Sequence, residues 1–138
     1  VGSGNGVLGL VVARQCPAAK VLGLDESYQA VACARKNAKT AGLDESRVRF
    51  QVEAGLQGLL AASVDLVVCN PPFHQAQAVG DQIAWGMFHQ SRRILKPGGR
   101  LLIVSNRHLG YHIKLKRLFG NCAVVASNRK FVVLMATA

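Results

Sequence analysis

The last 57 residues of this chain contain no acidic side chain. Residues 82–138 carry ten Lys and Arg, whereas residues 1–81 carry seven Lys and Arg and all seven Asp and Glu. The first part is therefore neutral, and the whole net charge of +10 sits in the second. Positive charge gathered in one region favours a polyanionic partner; the alternative is a solvated surface with a high pI.

Other features are missing as well. No run of ~18 uncharged apolar residues exists, which excludes a membrane-spanning helix of the usual kind. The stretch Val1-Gly2-Ser3-Gly4-Asn5-Gly6 has no basic flank and does not read as a secretory signal. Cys16, Cys33, Cys69 and Cys122 are scattered and form no C-x-x-C pair, which argues against a thiolate zinc site. They are expected to be small buried residues of a reducing, cytoplasmic protein. His108 and His112 have ligand spacing on a helix, but no third ligand accompanies them, so no metal is expected. Internal repeats and low-complexity tracts are absent too. At 138 residues, half of them hydrophobic, the chain has the length and core of one domain.

What is present alternates short apolar runs with longer amphipathic ones, which predicts an α/β fold with a mostly parallel sheet and helices on both faces. Strands are expected at 20–24, 47–52, 64–69 and 100–105. Ser27 is placed to cap a helix that runs to about Ala41 and stops at Gly42. Further helices are expected at 82–95, with Trp85, Met87 and Phe88 in its core face, and at 111–119. Strands at 122–126 and 130–136, joined by Ser127-Asn128-Arg129, predict a closing antiparallel hairpin. A glycine-rich turn normally follows a strand, so the chain reads as a single domain, 1–138, without its first strand. Residues 1–81 make its neutral half and residues 82–138 its basic half.

The apolar run Val64–Cys69 stops at Asn70-Pro71-Pro72-Phe73. The two prolines remove backbone donors and stiffen the exit from the strand. They fix an amide, backbone carbonyls and an aromatic ring in one cluster, which suits gripping a flat ring that carries an amino group. The bland alternative is a rigid turn. Upstream, Gly4-Asn5-Gly6-Val7-Leu8-Gly9 fits G-x-G-x-x-G, and Asp25 ends the next strand, where a carboxylate can accept from both ribose hydroxyls. That signature serves dinucleotides and S-adenosylmethionine alike; a plain glycine loop and a solvated Asp25-Glu26 turn are the bland alternatives. A dehydrogenase also needs a His or Lys donor near the nicotinamide, and no motif supplies one.

With these residues in this order, the chain resembles the class I S-adenosylmethionine-dependent methyltransferases, and the tetrad resembles their amino-methylating branch. Asn70-Pro71-Pro72-Phe73-His74, then Gly80-Asp81-Gln82-Ile83-Ala84-Trp85, resembles the ribosomal RNA guanine-N2 methyltransferases. Asn106-Arg107-His108-Leu109-Gly110-Tyr111, Leu118-Phe119-Gly120-Asn121-Cys122 and Asn128-Arg129-Lys130-Phe131 resemble the large-subunit members. The resemblance implies a Rossmann-like catalytic domain whose residues 1–81 form the cofactor-binding half and residues 82–138 the basic, RNA-facing half, with S-adenosylmethionine as cofactor and ribosomal RNA as partner; a cytoplasmic monomer is expected. It implies catalytic roles for Asn70, Pro71, Pro72 and Phe73, and cofactor contacts from Gly2, Gly4, Asn5, Gly6, Asp25 and Asn70. Many relatives carry Asp or Asn after the second of these strands to bond the adenine amino group; here Glu53 is the candidate. His74 is a candidate for base or phosphate, or for packing its own loop. Arg107, Lys114, Lys116, Arg117 and Arg129 are candidates for phosphate contacts, with a solvated helix face as the alternative. Adenine N6, small-subunit guanine or a protein glutamine remain rival substrates, and a non-catalytic RNA-binding fragment is the rival of a different class.

Overall fold

A computed structural model describes residues 1–72 and 77–138 and shows two compact units, Val1–Gly55 and Leu56–Ala138. This division follows packing; the division at residue 81 follows charge. Among the described residues no helix is long and apolar enough to cross a membrane.

The first unit runs α1 (Val7–Gln15), β1 (Val21–Asp25), α2 (Tyr28–Thr40) and β2 (Val48–Val52). β1 and β2 are parallel, with Val21 opposite Val48 and Asp25 opposite Val52. The Ser27 hydroxyl accepts from the Ala30 amide at 3.2 Å and starts α2 as expected, and Gly42 takes a left-handed φ of 71° just past its end. Val31, Ala34 and Ala38 recur at helical spacing and pack with Ala13, Val48 and Phe50 into one core. Cys33 lies on the opposite face of α2 and Cys16 just after α1, and both are exposed. The expectation of four buried cysteines is thus corrected: helix periodicity turns one outward, and the end of α1 exposes the other. Cys69 is buried and Cys122 half-buried.

The Phe50 ring fills the space that a side chain on Gly23 would need; a Cβ there would overlap its Cδ1 and Cε1. A Cβ on Gly6 would also lie 2.9 Å from Phe50 Cζ and from Ala34 Cβ. Gly23→Ala is therefore expected to destabilise the protein by about 1–3 kcal/mol through overpacking, read as a drop of several degrees in Tm by circular dichroism. An unshifted Tm would show that Phe50 has another place to go at no cost.

The second unit runs β3 (Val64–Cys69), α3 (Gln77–Ile94), β4 (Leu95–Asn106), a 3-10 turn (Arg107–Leu109), α4 (Tyr111–Phe119), β5 (Ala123–Ser127) and β6 (Phe131–Thr137). Its sheet has the order β3-β4-β6-β5. β3 and β4 are parallel, while β6 is antiparallel to both β4 and β5, so the closing hairpin is as expected. Phe88, Ile94, Leu101, Ile103, Leu115 and Leu134 are fully buried between helices and sheet. Phe88 meets Tyr111 edge to face at 5.3 Å, within the core face expected of α3. α4 ends at Gly120, whose left-handed backbone donates to the Lys116 carbonyl. The Asn121 amide then bonds both the N–H and the C=O of Thr137 and so prolongs the sheet edge.

Candidate functional site

In the first unit the candidate residues gather at the carboxyl ends of β1 and β2. Gly2, Gly4 and Gly6 all take positive φ, at 65°, 52° and 86°, which lets the turn double back over the strand. The Ser3 amide donates to the Leu24 carbonyl at 3.0 Å. The Gly4 amide donates to Asp25 Oδ2 at 2.9 Å, and the Ser27 amide to Asp25 Oδ1 at 3.0 Å. Asp25 thus pins the glycine turn to the strand that it ends. Each carboxylate oxygen keeps acceptor capacity beyond the one backbone donor it holds. The Glu53 amide donates to the Asp25 carbonyl, which brings Glu53 beside Asp25 as an exposed carboxylate. The Asn5 carbonyl accepts from the Asn37 amide at 3.0 Å, a contact that turns Asn5 toward α2. Two features mark a cradle: a Cβ on Gly4 would meet nothing within 4 Å, and Ser3 Oγ is buried without a hydrogen-bond partner.

In the second unit Asn70, Pro71 and Pro72 stand at the carboxyl end of β3, the usual ligand position in open α/β sheets. Asn70 is half-buried, Pro71 fully buried and Pro72 half-buried. Phe73 and His74 lie outside the described residues. Beneath Asn70, burial pushes the Cys69 thiol up to about 11, so it stays protonated; it lies 3.8 Å from Met87 Sδ. Burial, then Asp81 and then Cys69, raises the Tyr111 phenol. Lys114 pairs with Asp81 at 3.0 Å and sits 5.6 Å from the Tyr111 ring centre. Its ammonium therefore ties the start of α3 to the start of α4.

The remaining basic candidates fall into two groups. Arg107 and Arg129 lie at the edge of the sheet where β3 and β4 end and β6 begins. Lys116 and Arg117 lie in the last turn of α4, toward the opposite edge, where β5 starts across from Met135. Sequence reading misses Asn106, whose Oδ1 is buried without a partner at the carboxyl end of β4. The signal that could have found it is its position: a polar residue at the end of a strand parallel to the one that carries the tetrad.

The model of the methyltransferase small domain family matches residues 1–135. The chain belongs to that family. Within it, the ribosomal RNA large subunit methyltransferase G of Shewanella amazonensis is 56% identical over 137 residues, 99% of this chain and 36% of the relative. The enzyme of the same name from Streptomyces avermitilis is 54% identical, over 99% of this chain and 35% of its own length. The chain thus spans about a third of the length of these curated relatives. Among solved structures, a Thermus thermophilus 16S rRNA N2 methyltransferase in complex with AdoMet and guanosine superposes with a TM-score of 0.84 at 28% identity, over 99% of this chain and 36% of that one. TrmN from Thermus thermophilus, at 23% identity and a TM-score of 0.75 over 99% of this chain and 42% of that one, shares the fold. The fold of this family member is the Rossmann-like methyltransferase fold, with a mixed sheet and final antiparallel strands.

Proposed function

We propose that this chain is the catalytic domain of a cytoplasmic enzyme, active as a monomer, that methylates the exocyclic N2 of a guanine in large-subunit ribosomal RNA. The observation that carries the reading is the Asn70-Pro71-Pro72 turn at the carboxyl end of β3, in a chain more than half identical to enzymes named for large-subunit RNA methylation. The first unit fits S-adenosylmethionine: the open space over Gly4, the unpartnered Ser3 Oγ and the spare acceptor capacity of Asp25 suit an adenosyl ribose and its substituents. Gly2, Gly4, Asn5, Gly6 and Asp25 would hold it, with Glu53 beside the adenine. When bound, it supplies an electrophilic methyl group on a sulfonium.

The guanine amino group is a weak nucleophile because its lone pair is delocalised into the ring. Asn70 Oδ1 and the Pro71 carbonyl accept its two hydrogens and favour the pyramidal nitrogen over the planar one. As nitrogen bonds carbon it becomes positive and acidic, so both acceptors strengthen toward the transition state and no strong base is needed beforehand. The excess proton then leaves along one of these hydrogen bonds to solvent. Phe73 stacks on the base, and His74 contacts base or phosphate. Arg107, Arg129, Lys116 and Arg117 supply phosphate contacts; Lys114 acts chiefly through Asp81.

Incubation with methyl-labelled S-adenosylmethionine and unmodified large-subunit RNA, followed by digestion, is expected to yield labelled N2-methylguanosine. Labelled N6-methyladenosine would keep the amine chemistry and overturn the substrate.

A further inference from the structure

We infer that Arg107, Arg129, Lys130 and Phe131 form a single-stranded RNA track that carries the nucleotides flanking the methylated base. The inference rests on the reaction proposed above, and its evidence is the edge of the sheet in the second unit. Cys69 pairs with Ile103, so Asn70 stands level with Val104, and Asn106 lies two residues farther on. Asn106 pairs in turn with Phe131. With ~3.3 Å per residue and ~4.8 Å between strands, the Phe131 backbone lies about 12 Å from that of Asn70. That is the reach of a neighbouring nucleotide rather than of the reacting base.

The rim is built and held. Asn128 Oδ1 accepts from the amides of Lys130 and Phe131 at 2.9 and 2.7 Å, and the Asn128 amide donates to the Phe131 carbonyl at 2.9 Å. Arg107, just past β4, clamps this turn: its amide donates to the Lys130 carbonyl at 3.0 Å and its guanidinium to the Asn128 carbonyl at 3.2 Å. The turn presents Arg129 and Lys130 to solvent, with the Lys130 ammonium 5.3 Å from the centre of the Phe131 ring. Phe131 is 36% exposed although it sits on a strand. Cations beside an exposed ring are the pairing that binds single strands: phosphates meet the charge and a base meets the π face. No acidic residue after Asp81 offsets this charge, and Asp81 is paired with Lys114. Between rim and tetrad stands Asn106, whose Oδ1 is buried without a partner.

The test measures binding of a guanine-containing single-stranded RNA to the intact protein by fluorescence anisotropy over a salt series. The double variant Arg129→Ala, Lys130→Ala is expected to lower the slope of log K against log salt by about 1.4, or ~0.7 for each phosphate no longer neutralised. Phe131→Ala is expected to weaken binding about tenfold or more without changing the slope, and Phe131→Tyr to restore it. Tm and S-adenosylmethionine affinity report that each variant is folded. An unchanged slope in the rim variant, or a reduced slope only in Lys116→Ala, Arg117→Ala, overturns the track. Wild-type protein that makes N2-methylguanosine while the rim slopes stay unchanged overturns the track alone. Reduced rim slopes in a protein that labels no guanosine support the track and overturn the reaction.

Discussion

Asn70→Ala is expected to slow methyl transfer by about a hundred- to a thousand-fold while S-adenosylmethionine still binds. The magnitude is that of removing one preorganised hydrogen-bonding group aimed at developing charge. The effect is expected on turnover because, in the reaction proposed, the amide oxygen meets a hydrogen that becomes acidic only as the nitrogen is alkylated. Folding is a minor concern. Asn70 is half-buried at a strand exit whose path is set by Pro71 and Pro72, and alanine keeps that backbone. Asn70→Asp, which keeps an acceptor in place, should retain more activity than alanine. Single-turnover rates at saturating RNA, beside calorimetric titration of the cofactor, decide the matter. An Asn70→Ala enzyme with parental turnover would remove the tetrad from the chemistry.

The parts of this fold that sequence predicts best are those where a local signal and the tertiary need coincide. β3 and α4 have the expected bounds because Val64–Cys69 is bracketed by Ser63 and a proline pair, and Tyr111–Phe119 by Gly110 and Gly120. α2 has a capping serine and a glycine stop, so it is equally clear. α1 carries no such signal. Val7-Leu8-Gly9-Leu10-Val11-Val12 is apolar throughout, so it has no periodic stripe, and Val7, Leu8 and Val11 are indeed exposed. α3 starts at Gln77 rather than Gln82 because Gly80 is accommodated within a helix rather than ending a loop. β4 starts at Leu95, and the Lys96-Pro97-Gly98-Gly99 stretch that reads as a loop is held against the chain end by Gly98 and Gly99 bonds to Ala138. Such partners, far along the chain, leave no mark on local sequence.

The candidate site divides in the same way. Glycines, Asp25 and the Asn-Pro-Pro turn are legible because they stand at strand ends, where open α/β sheets place their ligands. Lys114 and Arg117 look alike in sequence, yet one is engaged by Asp81 and the other lies in the last turn of α4. Phe131 reads as one more apolar residue of a strand; only the hairpin register places it at the rim beside Lys130.

Asp25→Ala is expected to lower S-adenosylmethionine affinity by about a hundred-fold or more, through two effects at one position. The first is direct: hydrogen bonds to a carboxylate contribute about 1.5–3 kcal/mol each, and two ribose hydroxyls can use the acceptor capacity left on Oδ1 and Oδ2. The second is positional. The Gly4 amide at 2.9 Å and the Ser27 amide at 3.0 Å both lose their acceptor, so the glycine turn is released from the end of β1. Asp25→Asn separates the two effects. Its single amide oxygen can keep one backbone donor but cannot serve the turn, Ser27 and two hydroxyls together, so its affinity should fall between those of wild type and alanine. Calorimetric titration with S-adenosylmethionine reads the affinities, and Tm reads the release of the turn. Were Asp25→Ala to lower Tm and leave affinity intact, the carboxylate would be a brace for the glycine turn and the ribose would be held elsewhere. A fall in affinity with Tm preserved would assign the effect to direct contact. Because the turn and the ribose draw on the same two carboxylate oxygens, both readouts should move for alanine, and affinity should move more than Tm for asparagine.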